Sequence, residues 1–334
     1  MRFFTRRYLV IVLLFLPLGA LVGAWAFFPR GIVSPVAIDA IPTPNALLSQ
    51  VKGASTLDSY PPSSYFPTTS TPRFTDTLGI SAHSYAVMDR DTKELLLAHN
   101  LTQERPIASV AKIMTAIVAL EQYHTDTQLL VGIEASHTGE AFMGLSEGEV
   151  VTVEDLLYGL LLPSGNDAAE VLAAGLRPGD GTNAPDLVVR QRNHFIMQMN
   201  QTAEKIGMKD TYFFNPTGLD ESTRSTSTFS TALDLLALSD YALSNPVFAR
   251  IVATDHHTIY YQEGRHKAFD LYNILQFDRS YPGIRGIKPG VTGFAGETLA
   301  SYIEKNNRRI ILILLDSERT RDDAIAIYDF LLGK

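Results

Sequence analysis

The chain reads as an α+β protein in which an antiparallel sheet is assembled from both ends of the folded part, with a helical region inserted between them. Three observations predict this. Two short strand-like runs, Ser84 to Met88 and Glu94 to Ala98, flank a polar turn and open the folded part. Helix-period segments then fill the stretch from Val110 to Leu243. Strand patterns return at Thr298 to Glu304 and Arg309 to Leu315, and a helical pattern closes the chain at Arg321 to Leu332.

Taken in order, Arg2, Arg6 and Arg7 precede an uncharged, largely apolar run from Tyr8 to Phe28. About twenty-one such residues span a bilayer as a helix, and Pro17 and Gly19 are tolerated there. The cations lie before the run, so the N-terminus is expected in the cytoplasm and the remainder outside. A signal peptide cut near Ala24-Trp25-Ala26 is the alternative, and it leaves the rest of the chain on the same side. Residues 29–78, rich in Pro, Ser and Thr, read as a semi-extended linker. Residues 79–334 then read as the folded domain.

Within that domain, Asp89 to Lys93 is a turn between the first two strands, because Asp favours turns and the further ligands of a calcium loop are missing. Helices are expected at Val110 to Gln122, Val153 to Leu161, Asp167 to Ala174, Asp186 to Ile206 and Ala232 to Leu243. Ser230 or Thr231 caps the last of these. Ser222 to Ser230 reads as a loop.

Composition narrows the function. At 334 residues with 46% hydrophobic content, the chain can bury a substantial core. A net charge of −8 argues against nucleic acid as a partner. There are no cysteines, which removes disulfides, thiolate metal sites and cysteine nucleophiles. His256 and His257 lack metal-ligand spacing with His266 and read as structural, and no phosphate loop, Gly-x-Ser-x-Gly elbow or His-Glu-x-x-His is present.

Three short motifs carry the chemistry: Ser109-Val-Ala-Lys112, Ser164-Gly-Asn166 and Lys288-Pro-Gly290. Ser109 and Lys112 stand three residues apart, on one face of an apolar helix. A helix N-terminus offers N–H groups that stabilise an oxyanion. A lysine in apolar surroundings loses its proton more readily and can serve as a base toward the serine. Ser164 and Asn166 lie between two helices, where they can relay a proton and hold a carbonyl, or simply cap. Lys288 offers a point charge to a substrate carboxylate or to the second serine, and Gly290, Gly293 and Gly296 permit close backbone approach.

With all three motifs in order, the stretch from about Ser81 to Lys334 resembles the serine D-alanyl-D-alanine carboxypeptidases, the low-molecular-mass penicillin-binding proteins. Pro106 to Thr115 resembles the family's nucleophile segment and Asp155 to Ala168 its second motif. Gly207 to Thr211 and Asn215 to Asp220 resemble its signature loop. The resemblance implies a β-lactamase-like sheet with flanking helices and an inserted helical lobe. It implies Ser109 as nucleophile, Lys112 as general base, and Ser164 and Asn166 in proton transfer and positioning. Lys288, Gly290, Val291 and Thr292 would bind substrate, with the N–H groups of Ser109 and Val291 as oxyanion hole. The implied substrate is a peptidoglycan stem peptide ending in D-Ala-D-Ala, the implied inhibitors are β-lactams, and no metal or organic cofactor is implied. Attachment to the bacterial membrane would rest on the N-terminal helix, since no extension after the domain reads as another anchor.

One departure stands out. The family's third motif is usually Lys-Thr-Gly, and here Pro289 replaces the threonine, removing a hydroxyl and a backbone N–H. Thr292 is the candidate to supply that hydroxyl. Two readings follow as alternatives to the carboxypeptidase: an endopeptidase on peptidoglycan cross-links, and a catalytically impaired wall-binding homologue. A β-lactamase is disfavoured because no Glu-x-x-Leu-Asn stretch is present.

Overall fold

A computed structural model describes residues 64–75, 77–275 and 281–333. The expected membrane span and most of the expected linker lie outside these residues. Among the described residues no helix is long and apolar enough to cross a membrane.

Both ends of the domain do meet in one antiparallel sheet. Strands β1 (Ser84–Asp89) and β2 (Leu95–His99) form a hairpin whose turn is closed by the Asp89 carboxylate, which accepts from the N–H groups of Asp91 and Thr92. Two short pairs come from the middle of the chain: β3 (Arg105–Pro106) with β6 (Phe229–Ser230), and β4 (Gln128–Leu130) with β5 (Val150–Thr152). A third pair joins β7 (His256–Ile259) to β8 (Phe269–Tyr272). Strands β9 (Ile284–Thr292), β10 (Gly296–Lys305) and β11 (Arg308–Ser317) complete the main sheet, in the order β2-β1-β11-β10-β9. The β10–β11 turn places Asn306 and Asn307 both at positive φ, the backbone that tight hairpins require and asparagine tolerates.

Strand β11 shows why the sheet lies between two layers. Ile310 to Leu315 are all buried. Ile311, Ile313 and Leu315 join the larger core, under the helical region. Ile310, Leu312 and Leu314 point the other way, into a second core. That second core is closed by the last helix, α8 (Thr320–Leu332), through Ala324, Ile327, Tyr328 and Leu331.

The helical region comprises α1 (Lys112–Gln122), α2 (Ile133–Ser136), α3 (Val153–Leu161), α4 (Asn166–Ala174), α5 (Pro185–Ile206), α6 (Ala232–Leu243) and α7 (Pro246–Val252). Caps define several ends. Thr152, Thr231 and Asn245 accept from N–H groups at the starts of α3, α6 and α7. α1 is the hub, with Lys112 through Ala119 all buried. Its N-terminus departs from the periodicity: residues 108–111 form a 3₁₀ turn, and α-helix begins only at Lys112. The cause is Ala108, at φ +48, which enters the helix from a left-handed conformation.

The linker also ends earlier than its composition implies. Residues in 64–78 lie along the outer edge of β2: Thr68 N–H donates to Lys93 O, Arg73 N–H to Leu95 O and Phe74 N–H to Leu96 O. Phe74 meets Phe330 edge-on and, with Leu78, packs on the second core. Proline and serine content hid this strap because its bonds to Leu95 and Leu96 of β2 are made by backbone.

Candidate active site

The three motifs converge where the 3₁₀ turn, the α3–α4 turn and strand β9 meet. Ser109 lies in the 3₁₀ turn and Lys112 opens α1. Lys112 is fully buried, with Nζ 2.8 Å from Ser109 Oγ, 2.7 Å from Asn166 Oδ1 and 2.8 Å from Thr217 O. Burial pushes its amine down to about 7, against the opposing pull of the carboxylates of Glu140, Glu170 and Asp167. The Asn166 amide is oriented by its other end, because Nδ2 donates to Gly139 O at 2.9 Å. Both Asn166 Oδ1 and Thr217 O can only accept. A neutral amine therefore spends its two protons on them and turns its lone pair to the Ser109 hydroxyl.

Ser164 occupies the turn between α3 and α4 at φ +68, an uncommon conformation for serine. The residue is buried.

Lys288 is the second fully buried lysine, on edge strand β9. Its Nζ donates to Pro289 O at 2.9 Å. Burial, with the nearby Lys112 amine, holds it well below the usual lysine range. Pro289 is accommodated because β9 has a strand on one side only. Gly290 is required by packing: a Cβ there would lie 2.7 Å from Ser109 N. Val291 is 66% exposed beside the cleft.

Thr292 differs from its expected use. Its Oγ1 donates to Asp220 Oδ1 at 2.8 Å and accepts from Ala295 N–H at 3.2 Å. Its one proton is thus committed to the Asp220 carboxylate, so it is not a free replacement for the hydroxyl missing at position 289.

Two supports lie in stretches that carry the family resemblance but were not among the expected site residues. The first is Asn215, whose Oδ1 accepts from Thr217 N–H, Thr217 Oγ1 and Gly218 N–H, while Nδ2 donates to Leu219 O and Glu221 Oε1. This loop delivers the Thr217 carbonyl to Lys112. Gly218, at φ +79, lets it press on the 3₁₀ turn that carries Ser109, since a Cβ there would fall 1.9 Å from Ala108 O. The second is Asp167, which accepts from the N–H groups of Met143, Gly144 and Leu145 and so pins the loop above Asn166. Asn166 N–H donates to Ala141 O in the same loop. In the sequence Asn215 is visible as the first residue of the stretch that resembles the signature loop, and Asp167 as part of the stretch that resembles the second motif, but neither signals what its side chain holds.

A buried lysine serving a serine at a helix entry, under the edge strand of a five-stranded antiparallel sheet, places the molecule among proteins of penicillin-binding-protein fold. The chain belongs to the D-alanyl-D-alanine carboxypeptidase family, whose profile matches residues 68–319. It is 28% identical over 253 residues to the D-alanyl-D-alanine carboxypeptidase DacF of Bacillus subtilis, covering 74% of this chain and 60% of DacF. The chain thus spans about 60% of the length of that relative. It is 30% identical over 234 residues to the D-alanyl-D-alanine carboxypeptidase DacB2 of Mycobacterium tuberculosis, covering 70% and 74% of the two chains. Among solved structures, the Streptomyces K15 DD-transpeptidase superposes with a TM-score of 0.70 at 26% identity, over 78% of this chain and all of the other.

Proposed function

We propose that the protein is a bacterial D-alanyl-D-alanine carboxypeptidase that removes the terminal D-Ala from peptidoglycan stem peptides through an acyl-enzyme. The observation that carries this reading is the Lys112 amine, whose two acceptor partners leave its lone pair for Ser109. Ser109 Oγ attacks the carbonyl carbon of the penultimate D-Ala while its proton passes to Lys112 Nζ. The N–H groups of Ser109 and Val291 receive the oxyanion. The proton returns through the Ser164 hydroxyl to the leaving amine, the C–N bond breaks and free D-Ala departs. Water, deprotonated by the same lysine, then hydrolyses the Ser109 ester. Asn166 orients Lys112 and the substrate, and Lys288 meets the terminal carboxylate with Gly290 and Thr292 shaping the strand beside it.

The family's cell-wall chemistry supports an extracytoplasmic domain. Residues 1–28 form the membrane anchor in this reading, and a linker runs from residue 29 to the strap that begins near residue 64. β-Lactams act as substrate mimics that acylate Ser109.

The test is the intact mass of the purified protein after exposure to a penicillin, with Ser109→Ala as control. The expected result is a stable adduct of one drug mass, absent in the control, together with D-Ala release from a soluble pentapeptide. No adduct on a folded sample would sink the assignment of Ser109, and an adduct that vanishes quickly would favour β-lactam hydrolysis.

A further inference from the structure

Three carboxylates pull on the Lys112 amine, and they are not equivalent. In order of strength they belong to Glu140, Glu170 and Asp167. Asp167 is committed to the N–H groups of Met143, Gly144 and Leu145, at 2.8, 2.8 and 3.0 Å. Glu170 is committed to Arg192, whose guanidinium donates from Nε at 2.7 Å and from Nη2 at 3.1 Å. Glu140 is exposed and makes no ion pair or hydrogen bond among the described residues. The carboxylate that acts most strongly on the base is therefore the one without a partner.

The site itself fixes where Glu140 stands. Asn166 Nδ2 donates to Gly139 O at 2.9 Å, and Asn166 N–H donates to Ala141 O at 2.8 Å. Both chain neighbours of Glu140 are thus tied to the residue whose Oδ1 accepts from Lys112. Two residues further on, the Asp167 carboxylate holds the same loop through Met143. Glu140 adopts φ +70 within this anchored rim, a backbone uncommon for glutamate. It is an acid at the edge of the cleft and not a solvated charge elsewhere on the surface.

An unpaired carboxylate beside a lysine that has to act as a neutral base works against it, because negative charge favours the ammonium. A cation brought by the ligand removes the conflict. A metal ion needs several ligands, and no group of three metal-ligating side chains occurs among the described residues. An organic ammonium is satisfied by one acid. With the terminal carboxylate of the substrate at Lys288, the residues on the other side of the scissile bond lie toward Asn166 and the Gly139–Ala141 rim. A stem peptide that is cross-linked through a side-chain amine carries that amine there, on the diamino acid preceding D-Ala-D-Ala.

We propose that Glu140 is a specificity-determining residue whose carboxylate pairs with the side-chain ammonium of the diamino acid preceding D-Ala-D-Ala. The inference rests on the carboxypeptidase reading for its choice of substrate. It distinguishes stem peptides with a free amine, not yet cross-linked at that position, from those whose amine is already an amide. The pair also serves the chemistry. The ammonium offsets the Glu140 charge, so the Lys112 amine gives up its proton more readily when the correct peptide is seated.

The test is equilibrium binding at low ionic strength to the full chain in detergent, carrying Ser109→Ala so that no peptide is turned over. The probes are a pentapeptide ending in D-Ala-D-Ala with a free side-chain amine, and the same peptide with that amine acetylated. The free-amine peptide is expected to bind about fivefold more tightly, the upper range for one exposed charge pair. Adding Glu140→Gln should bring the ratio to about one, and adding Glu140→Lys should take it below one. Glutamine keeps the length of the side chain at an exposed position, so the fold is not at stake. Acetylation also changes the size of the peptide, and comparing the ratio across the variants isolates the charge. Equal binding of the two peptides to the protein that keeps Glu140 overturns the proposal, as does binding of neither. An undiminished preference in the Glu140→Gln protein overturns it too, by assigning the ammonium to another group. Binding is read without turnover. If the preference is present but the protein with Ser109 intact releases no D-Ala, the carboxypeptidase reading alone is at fault.

Discussion

At Lys112 the number of partners decides the protonation state that works. An ammonium would direct a third proton at Ser109, whereas the neutral amine offers it a lone pair, and burial brings the amine down to about 7. Acylation of Ser109 by a penicillin should therefore rise about tenfold per pH unit below neutrality and level off above about pH 7. Stopped-flow rates between pH 5 and 9 would check this, and a rate still climbing at pH 9 would contradict it. Pro289 is the second decisive residue. With its hydroxyl committed to Asp220, Thr292 is not free to replace the hydroxyl lost there. Pro289→Thr should raise turnover of a D-Ala-D-Ala peptide. One hydrogen bond to a charged group is worth roughly 1.5–3 kcal/mol, or about 10- to 150-fold. Unchanged kcat/KM in that variant would mean the proline is no defect.

At the level of elements, the loop from Asn215 to Asp220 couples two halves of the site. One end gives the Thr217 carbonyl to Lys112, and the other gives the Asp220 carboxylate to Thr292 Oγ1 and Phe294 N–H. Asn215→Ala removes the acceptor of three bonds inside this loop. Denaturant titration should show a loss of about 2–4 kcal/mol, from buried donors left unpaired. Penicillin acylation should slow as well; a variant that is destabilised but acylates normally would remove the loop from the mechanism. Most helices were legible because apolar periodicity marks them, with Thr231 also visible as the cap of α6, and β11 because every residue from Ile310 to Leu315 is apolar. The motif side chains were legible as residue types at fixed spacing. The Thr217 carbonyl was not, since a backbone acceptor leaves no trace in side-chain chemistry. Strands β3 and β6 were missed for a related reason: two residues each are too few for any period to show.

For the whole molecule, the strap along β2 covers one edge of the main sheet. A chain beginning at residue 80 should melt at least about 4 °C below one beginning at residue 64, the shift expected for one to two kcal/mol in a domain this size. It should also aggregate more readily, and equal melting temperatures would make the strap a passive tether. The two buried lysines have a wider effect. Both titrate lower in the folded state than in the unfolded chain, so the unfolded chain binds more protons, and stability should rise with pH from about 7 towards the ordinary lysine range. Folding in that window releases protons to the buffer. A carboxylate-bearing ligand seated beside Lys288 reverses the exchange, because the new negative charge restores the ammonium that burial withholds. The heat of binding such a ligand should accordingly vary with the ionisation enthalpy of the buffer, the signature of an enzyme that takes up a proton whenever its cleft fills.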